Sequence, residues 1–186
     1  GATYPDAVRA FGDLDLAAIG IAFTSATYRD GPEADAALCA RLGGIAGRPV
    51  ATASLAVTEA LRALGARRIA LVSPYPDWLT DWSRGYWAAG GFAVADVATM
   101  GDVFRAYDAS EDELAAAIER AAPAEADVLL LTGTGAYTIG AIERVRAARP
   151  VTCLTSNLCL AWWLMRVARQ PQSALLAALA PALAAV

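Results

Sequence analysis

Residues 126–140, ADVLLLTGTGAYTIG, constrain the fold more than any other stretch of this chain. The apolar run Val128, Leu129, Leu130, Leu131 reads as a strand. It stops at Thr132-Gly133-Thr134-Gly135, and a helix-like segment follows at once. In an α/β sheet this is where a parallel strand delivers its last residues to the ligand crevice. The two glycines leave room for a ligand beside the backbone, whose N–H groups can hold an anion. A second copy lies upstream, where the small apolar strand 18–22 runs into Phe23-Thr24-Ser25-Ala26-Thr27. Two hydroxyl-rich strand ends of this kind suggest a carboxylate pocket.

The rest of the chain alternates strands with helices, the pattern of a parallel α/β sheet. Helix 33–42 carries Cys39 and is expected to end at Gly43, Gly44 and Gly47. Strand 49–53 leads to a helix over 55–64, capped by Ser54 and closed by Gly65. Strand 69–72 ends at Ser73-Pro74-Tyr75-Pro76-Asp77, helix 78–89 runs to Gly90-Gly91, and strand 92–97 follows. Ser110 and Glu113 form a capping box for a helix reaching Ala122. After the central strand come helix 138–148, strand 151–154, and a helix over 158–167 capped by Ser156 or Asn157.

The halves look alike, which predicts two pseudo-symmetric Rossmann-like lobes with a crevice between them. Residues 66–154 form one lobe, and 1–65 with 155–186 form the other. The opening segment TYPDAVRAFGDL reads as a helix. A doubly wound fold rarely starts so, and an N-terminal strand is expected to be absent from this chain or supplied elsewhere.

Composition narrows the chemistry. All 15 basic residues are arginine, with no lysine and no histidine. Schiff-base chemistry, histidine base catalysis and a His-ligated metal are thereby excluded for this chain. Proton transfer is left to Cys, Asp, Glu, Tyr or the substrate itself. A net charge of −4 without an arginine cluster argues against a nucleic-acid surface. No apolar run approaches the ~18 residues of a membrane span. Cys39, Cys153 and Cys159 have neither metal nor disulfide spacing, so a reducing cytoplasm is the expected compartment. The apolar tail 174–186, broken by Pro181, is expected to pack on the body or on a partner, which leaves a homo-oligomer open.

Four strings in order, ALRALGARRIALVSPY (60–75), Phe23-Thr24-Ser25, Leu131-Thr132-Gly133-Thr134-Gly135 and Leu154-Thr155-Ser156-Asn157, resemble the aspartate/glutamate racemase superfamily. The resemblance is greatest to the branch of arylmalonate decarboxylase and maleate isomerase, and spans about residues 16–167. It implies a cofactor-free enzyme whose substrate carboxylate sits in a cage of hydroxyls and backbone amides. Carried over by position, that cage is Thr24, Ser25, Tyr75, Thr134 and the amide of Gly135. The family's one or two cysteines, which move a proton at the carbon beside the carboxylate, fall at Phe23 and Gly133 here. Neither residue carries a proton, so no catalytic residue is assigned.

Other features have structural readings beside the functional ones. Thr24, Ser25 and Thr134 could serve as helix caps and turn hydroxyls, and Tyr75 as a packing tyrosine. Asp77 reads first as an N-cap and second as an acid or base. Trp78, Trp82, Tyr86 and Trp87 fall at helical spacing and read as core or lobe interface. Cys159, in a first helical turn, could feel the macrodipole but reads first as a small buried hydrophobe. Gly133-x-Gly135 lacks the third glycine and the acid of a dinucleotide site.

The expected function is a lyase, isomerase or racemase acting on a small carboxylic or dicarboxylic acid. The alternatives are a catalytically silent relative that binds a carboxylate, and a chain lacking further active-site residues of a longer protein.

Overall fold

The computed structural model describes residues 3–12, 14–121, 126–148 and 150–186. Its elements are α1 (Tyr4–Arg9), β1 (Ile19–Ile21), α2 (Ser25–Tyr28), α3 (Gly31–Ala46), β2 (Val50–Thr52), α4 (Ala53–Ala63), β3 (Arg68–Ser73), α5 (Asp77–Ala89), β4 (Ala93–Thr99), α6 (Glu111–Arg120), β5 (Val128–Leu131), α7 (Ile139–Ala148), β6 (Cys153–Thr155), α8 (Ser156–Val167), α9 (Ala174–Leu179) and α10 (Pro181–Ala184). Among the described residues they form two sheets: a pair, β1-β2, and a four-stranded sheet of order β4-β3-β5-β6. Every pairing is parallel.

The strand order locates the crevice. From β3 the chain moves to β4 on one side, then crosses to β5 on the other. The carboxyl ends of β3 and β5 therefore flank the point where winding reverses, which is where open α/β sheets bind ligands. Val128, Leu129, Leu130 and Leu131 of β5 are buried at 3% exposure or less, as a strand covered on both faces requires. Helices α4 and α8 share one apolar cluster with Ile69, Leu71 and Leu130. Helices α6 and α7 pack through Leu114, Ile118 and Ile142 on the other face, against Leu129 and Leu131.

Several local expectations are corrected. Gly43 and Gly44 lie inside α3, which ends only at Gly47, in the left-handed conformation at φ 66°. The opening helix stops at Arg9, shorter than its apolar spacing suggested. Helix α4 is capped by Thr52, whose hydroxyl accepts from the Leu55 amide at 3.0 Å, and not by Ser54. Helix α8 is capped by Thr155, accepting from Leu158 at 3.1 Å, and not by Ser156 or Asn157. Asp77 is the first residue of α5 and caps nothing; its own amide donates to Asp102 Oδ1 at 2.8 Å. Tyr86 and Trp87 are core residues, whereas Trp78 and Trp82 stand exposed in an edge-to-face pair. The capping box at Ser110 and Glu113 forms as expected; the predicted helix end at Ala122 lies outside the described residues.

One polar cluster holds the first sheet to the rest. The buried Asp35 carboxylate accepts from Thr52 Oγ1 at 2.8 Å and from the Tyr86 hydroxyl at 2.7 Å, tying α3 to β2 and α5. Burial raises the pKa of this carboxyl despite those bonds.

Candidate functional site

Thr24 ends the turn after β1, where a threonine would ordinarily cap the next helix. It makes no such cap. Its hydroxyl instead lies 3.1 Å from the hydroxyl of Tyr75, a residue from the turn after β3 and 51 positions away. Both residues are almost wholly buried, at 1% and 3% exposure. The Thr24 carbonyl is held from behind by the Ser54 hydroxyl at 3.1 Å, and the Thr27 hydroxyl lies within reach of both. The tip of β1 is thereby fixed against the tip of β3.

The tip of β5 closes the third side. Thr132 donates its hydroxyl to the Val72 carbonyl, which anchors the loop on β3. The Thr134 carbonyl accepts from the Asn157 side chain at 2.9 Å, which anchors it on α8. Gly133 between them has φ 92°, a conformation that glycine adopts without strain. Together Thr24, Ser25, Tyr75, Thr134 and Gly135 line one cavity, with Phe23 on its wall. The residues expected at the two strand ends therefore do meet.

Three lining residues were not expected from the sequence: Phe104, Ala106 and Tyr107, from the loop between β4 and α6. The Phe104 ring lies 5.7 Å from that of Tyr75 and 5.5 Å from that of Tyr107. Tyr107 covers Gly135 so closely that a Cβ there would stand 2.2 Å from the tyrosine ring. The loop is secured by the Arg105 amide, which donates to the Pro74 carbonyl at 2.7 Å, and by the Arg105 guanidinium, which pairs with Asp108 and Glu113. With these rings in place the cavity measures about 10 Å³. That is close to the minimum for one water. A group larger than a water does not fit while the rings stand as they do.

The lining residues carry no formal charge. An anion would rest on neutral donors, hydroxyls and loop amides, each bond to a charged group contributing about 1.5–3 kcal/mol. Burial pushes the Tyr75 phenol up to about 12, so it stays protonated across the physiological range. None of the three cysteines lines this cavity. Burial pushes Cys39 up to about 11 and raises Cys159 as well, so the macrodipole does not make Cys159 a thiolate. A larger hollow of about 480 Å³ lies beside Pro150, Val151 and Thr152. It sits at the start of β6, away from the carboxyl ends of the strands that form the crevice.

The comparison that decides the family is with arylmalonate decarboxylase, whose family model matches residues 5–178. The chain belongs to the arylmalonate decarboxylase family. Arylmalonate decarboxylase of Bordetella bronchiseptica is 28% identical in an alignment of 169 residues that covers 82% of this chain and 65% of that relative. The chain thus spans about two thirds of that relative's length. A glycine-to-cysteine mutant of arylmalonate decarboxylase, solved in a sulfate-associated form, superposes with a TM-score of 0.80 at 26% identity, over 89% of this chain and 73% of that one. The fold extends to a cysteine-to-alanine variant of the maleate isomerase of Pseudomonas putida S16, solved with maleate. There the TM-score is 0.81 at 21% identity, covering 94% of this chain and 74% of that one. No described helix is long and apolar enough to cross a membrane.

Proposed function

We propose that this chain is a cofactor-independent enzyme of the lyase or isomerase type that acts on a small carboxylic or dicarboxylic acid. Decarboxylation of an arylmalonate-like diacid is the favoured reaction. The carboxylate would be held by Thr24, Ser25, Tyr75, Thr134 and the Gly135 amide, between a lobe of residues 1–65 with 155–186 and a lobe of 66–154. The observation that carries the reading is the buried Thr24–Tyr75 hydrogen bond, which joins the ends of β1 and β3 beside the Thr134-Gly135 loop. Sulfate and maleate, bound by relatives of the same fold, are anions of the type that neutral donors of this kind would hold.

Decarboxylation is also the family reaction least dependent on two thiols. Neutral donors that hold the retained carboxylate stabilise the charge developing on it, and a dry pocket disfavours the charged leaving carboxylate. A reducing cytoplasm belongs to the same proposal, since Cys39, Cys153 and Cys159 are all buried and none forms a disulfide.

Phe23 and Gly133 at the family's cysteine positions favour a second reading, a relative that binds a carboxylate without turning it over. The test is to incubate the protein with an arylmalonate, maleate and aspartate, following product and optical rotation, alongside a thermal-shift series with the same acids. Turnover of the arylmalonate supports the enzyme. A raised melting temperature with no consumption supports the binding protein, and neither response refutes the site.

A further inference from the structure

We infer that Asn157 is a positioning residue for anion binding. It holds the Thr134 carbonyl from behind, so that the amide on the far side of the same peptide, the Gly135 N–H, is turned toward a carboxylate in the cavity. The inference rests on the binding half of the reading above, whether or not the bound acid is turned over. No described peptide is cis. A trans peptide directs its C=O and its N–H to opposite sides of the chain. The Thr134 carbonyl accepts from Asn157 Nδ2 at 2.9 Å, its one hydrogen bond among the described residues. The Gly135 N–H therefore points away from α8, and Gly135 lines the cavity. That amide donates to no acceptor among the described residues. Backbone donors sheltered from water are nearly always paired, and the Tyr107 ring lies against this one's residue. An anion in the cavity completes the pairing.

The end of β1 repeats the construction. Ser54 Oγ donates to the Thr24 carbonyl at 3.1 Å. The N–H across that peptide belongs to Ser25, which lines the same cavity and likewise donates to no acceptor among the described residues. Both struts stand two residues after the threonine that ends a strand and caps the next helix, Thr52 before Ser54 and Thr155 before Asn157. The threonines do the capping, so neither strut is needed for it.

The two struts differ in what backs them. The Thr24 carbonyl also accepts from the Thr27 amide at 3.3 Å and from its hydroxyl at 3.2 Å. The Thr134 carbonyl rests on Asn157 alone among the described residues. Ser54 is fully buried, whereas Asn157 stands exposed. Removing the asparagine side chain thus loosens the Thr134–Gly135 peptide without opening the core.

The experiment titrates phenylmalonate and maleate into the protein, reading affinity by calorimetry and the Ser25 and Gly135 amide protons by nitrogen-15 NMR. In the wild-type chain both protons are expected to move downfield as they donate to the anion. Asn157→Ala is expected to bind about 5- to 30-fold more weakly, part of the worth of one charge-assisted donor, with the Gly135 shift largely lost and the Ser25 shift kept. Ser54→Ala, backed by Thr27, is expected to lose about 2- to 5-fold, with the reduction confined to the Ser25 shift. Asn157→Ala binding within twofold of wild type with the Gly135 shift intact overturns the assignment and leaves the carboxylate reading standing. So does weaker binding in which Gly135 still moves as in wild type, which would make Asn157 a residue that only shapes the loop. A wild-type chain that binds either acid without moving Gly135 overturns it as well. If Asn157→Ala does not fold, Asn157→Asp, of the same shape and without the donor, replaces it in the comparison of the Gly135 shift. A wild-type chain that binds neither acid refutes the carboxylate reading, and the strut with it.

Discussion

Gly133→Ala tests whether the loop after β5 needs glycine for its shape. The residue stands at φ 92°, where an L-residue is strained by about 1–2 kcal/mol. A Cβ would also lie 2.9 Å from Pro74 Cγ, a ring that cannot swing away as the end of a long side chain can. Relieving that overlap shifts the turn carrying Tyr75, and overpacking of this kind costs about 1–3 kcal/mol. Together the substitution should destabilise the protein by about 2–5 kcal/mol. At about 2–4 °C per kcal/mol for a chain of this size, the melting temperature should fall by roughly 4–20 °C. Differential scanning calorimetry reads it directly, and Gly44→Ala, at a helical glycine with open space around its Cβ position, serves as the control. A Gly133→Ala protein that melts within about 2 °C of wild type would refute the reasoning. The same arithmetic applies to Gly133→Cys: a thiol placed there pays the backbone strain before it can do any chemistry.

Three further outcomes are expected. Tyr107→Ala should uncover Gly135 and enlarge the cavity, giving a greater thermal shift with phenylmalonate at a stability change below about 1 kcal/mol, since the tyrosine is 66% exposed. Asp35→Leu should destabilise by about 2–6 kcal/mol in denaturant titration, because it strands the Thr52 and Tyr86 hydroxyls, each an unmet buried donor of about 1–3 kcal/mol. Asp35→Asn addresses pH. Burial raises the folded-state pKa of this carboxyl above its ordinary value of 3.8, so its favourable contribution is complete below 3.8 and is lost as pH rises through the folded value. The asparagine variant should flatten that part of the stability–pH curve, measured by unfolding at a series of pH values.

The lining of the candidate site was legible in the sequence where its parts are local. An apolar run that stops at Thr-Gly-Thr-Gly names the tip of β5, and Phe23-Thr24-Ser25 names the tip of β1, without knowledge of strand order. The contribution of Phe104, Ala106 and Tyr107 was not legible. Their loop follows β4, and only the order β4-β3-β5-β6 brings it over β5, a non-local fact that no spacing along the chain encodes. A pair of aromatics in a loop after a strand was the available signal. Asp35 escaped notice for a similar reason, since its partners Thr52 and Tyr86 lie 17 and 51 residues away. Helix caps were misread by one or two positions at Thr52 and Thr155. In each case the extended residue that ends the strand caps the helix itself, leaving no separate turn for the serine that follows. Thr24 shows the opposite outcome, a threonine before a helix that gives up capping because a buried phenol competes for its hydroxyl.

The anchoring of the β4–α6 loop has a kinetic consequence. With the Arg105 amide bound to Pro74 and its guanidinium clamped by two carboxylates, the segment is pinned close to its centre, between the two aromatics that shut the cleft. Admission then depends on Phe104 and Tyr107 rotating like shutters about their own side-chain bonds, a picosecond-to-nanosecond event at exposed positions, and not on a hinged flap that swings in microseconds or longer. For the enzyme proposed above, entry so quick would leave the bond-breaking step or the departure of product to set the pace of turnover.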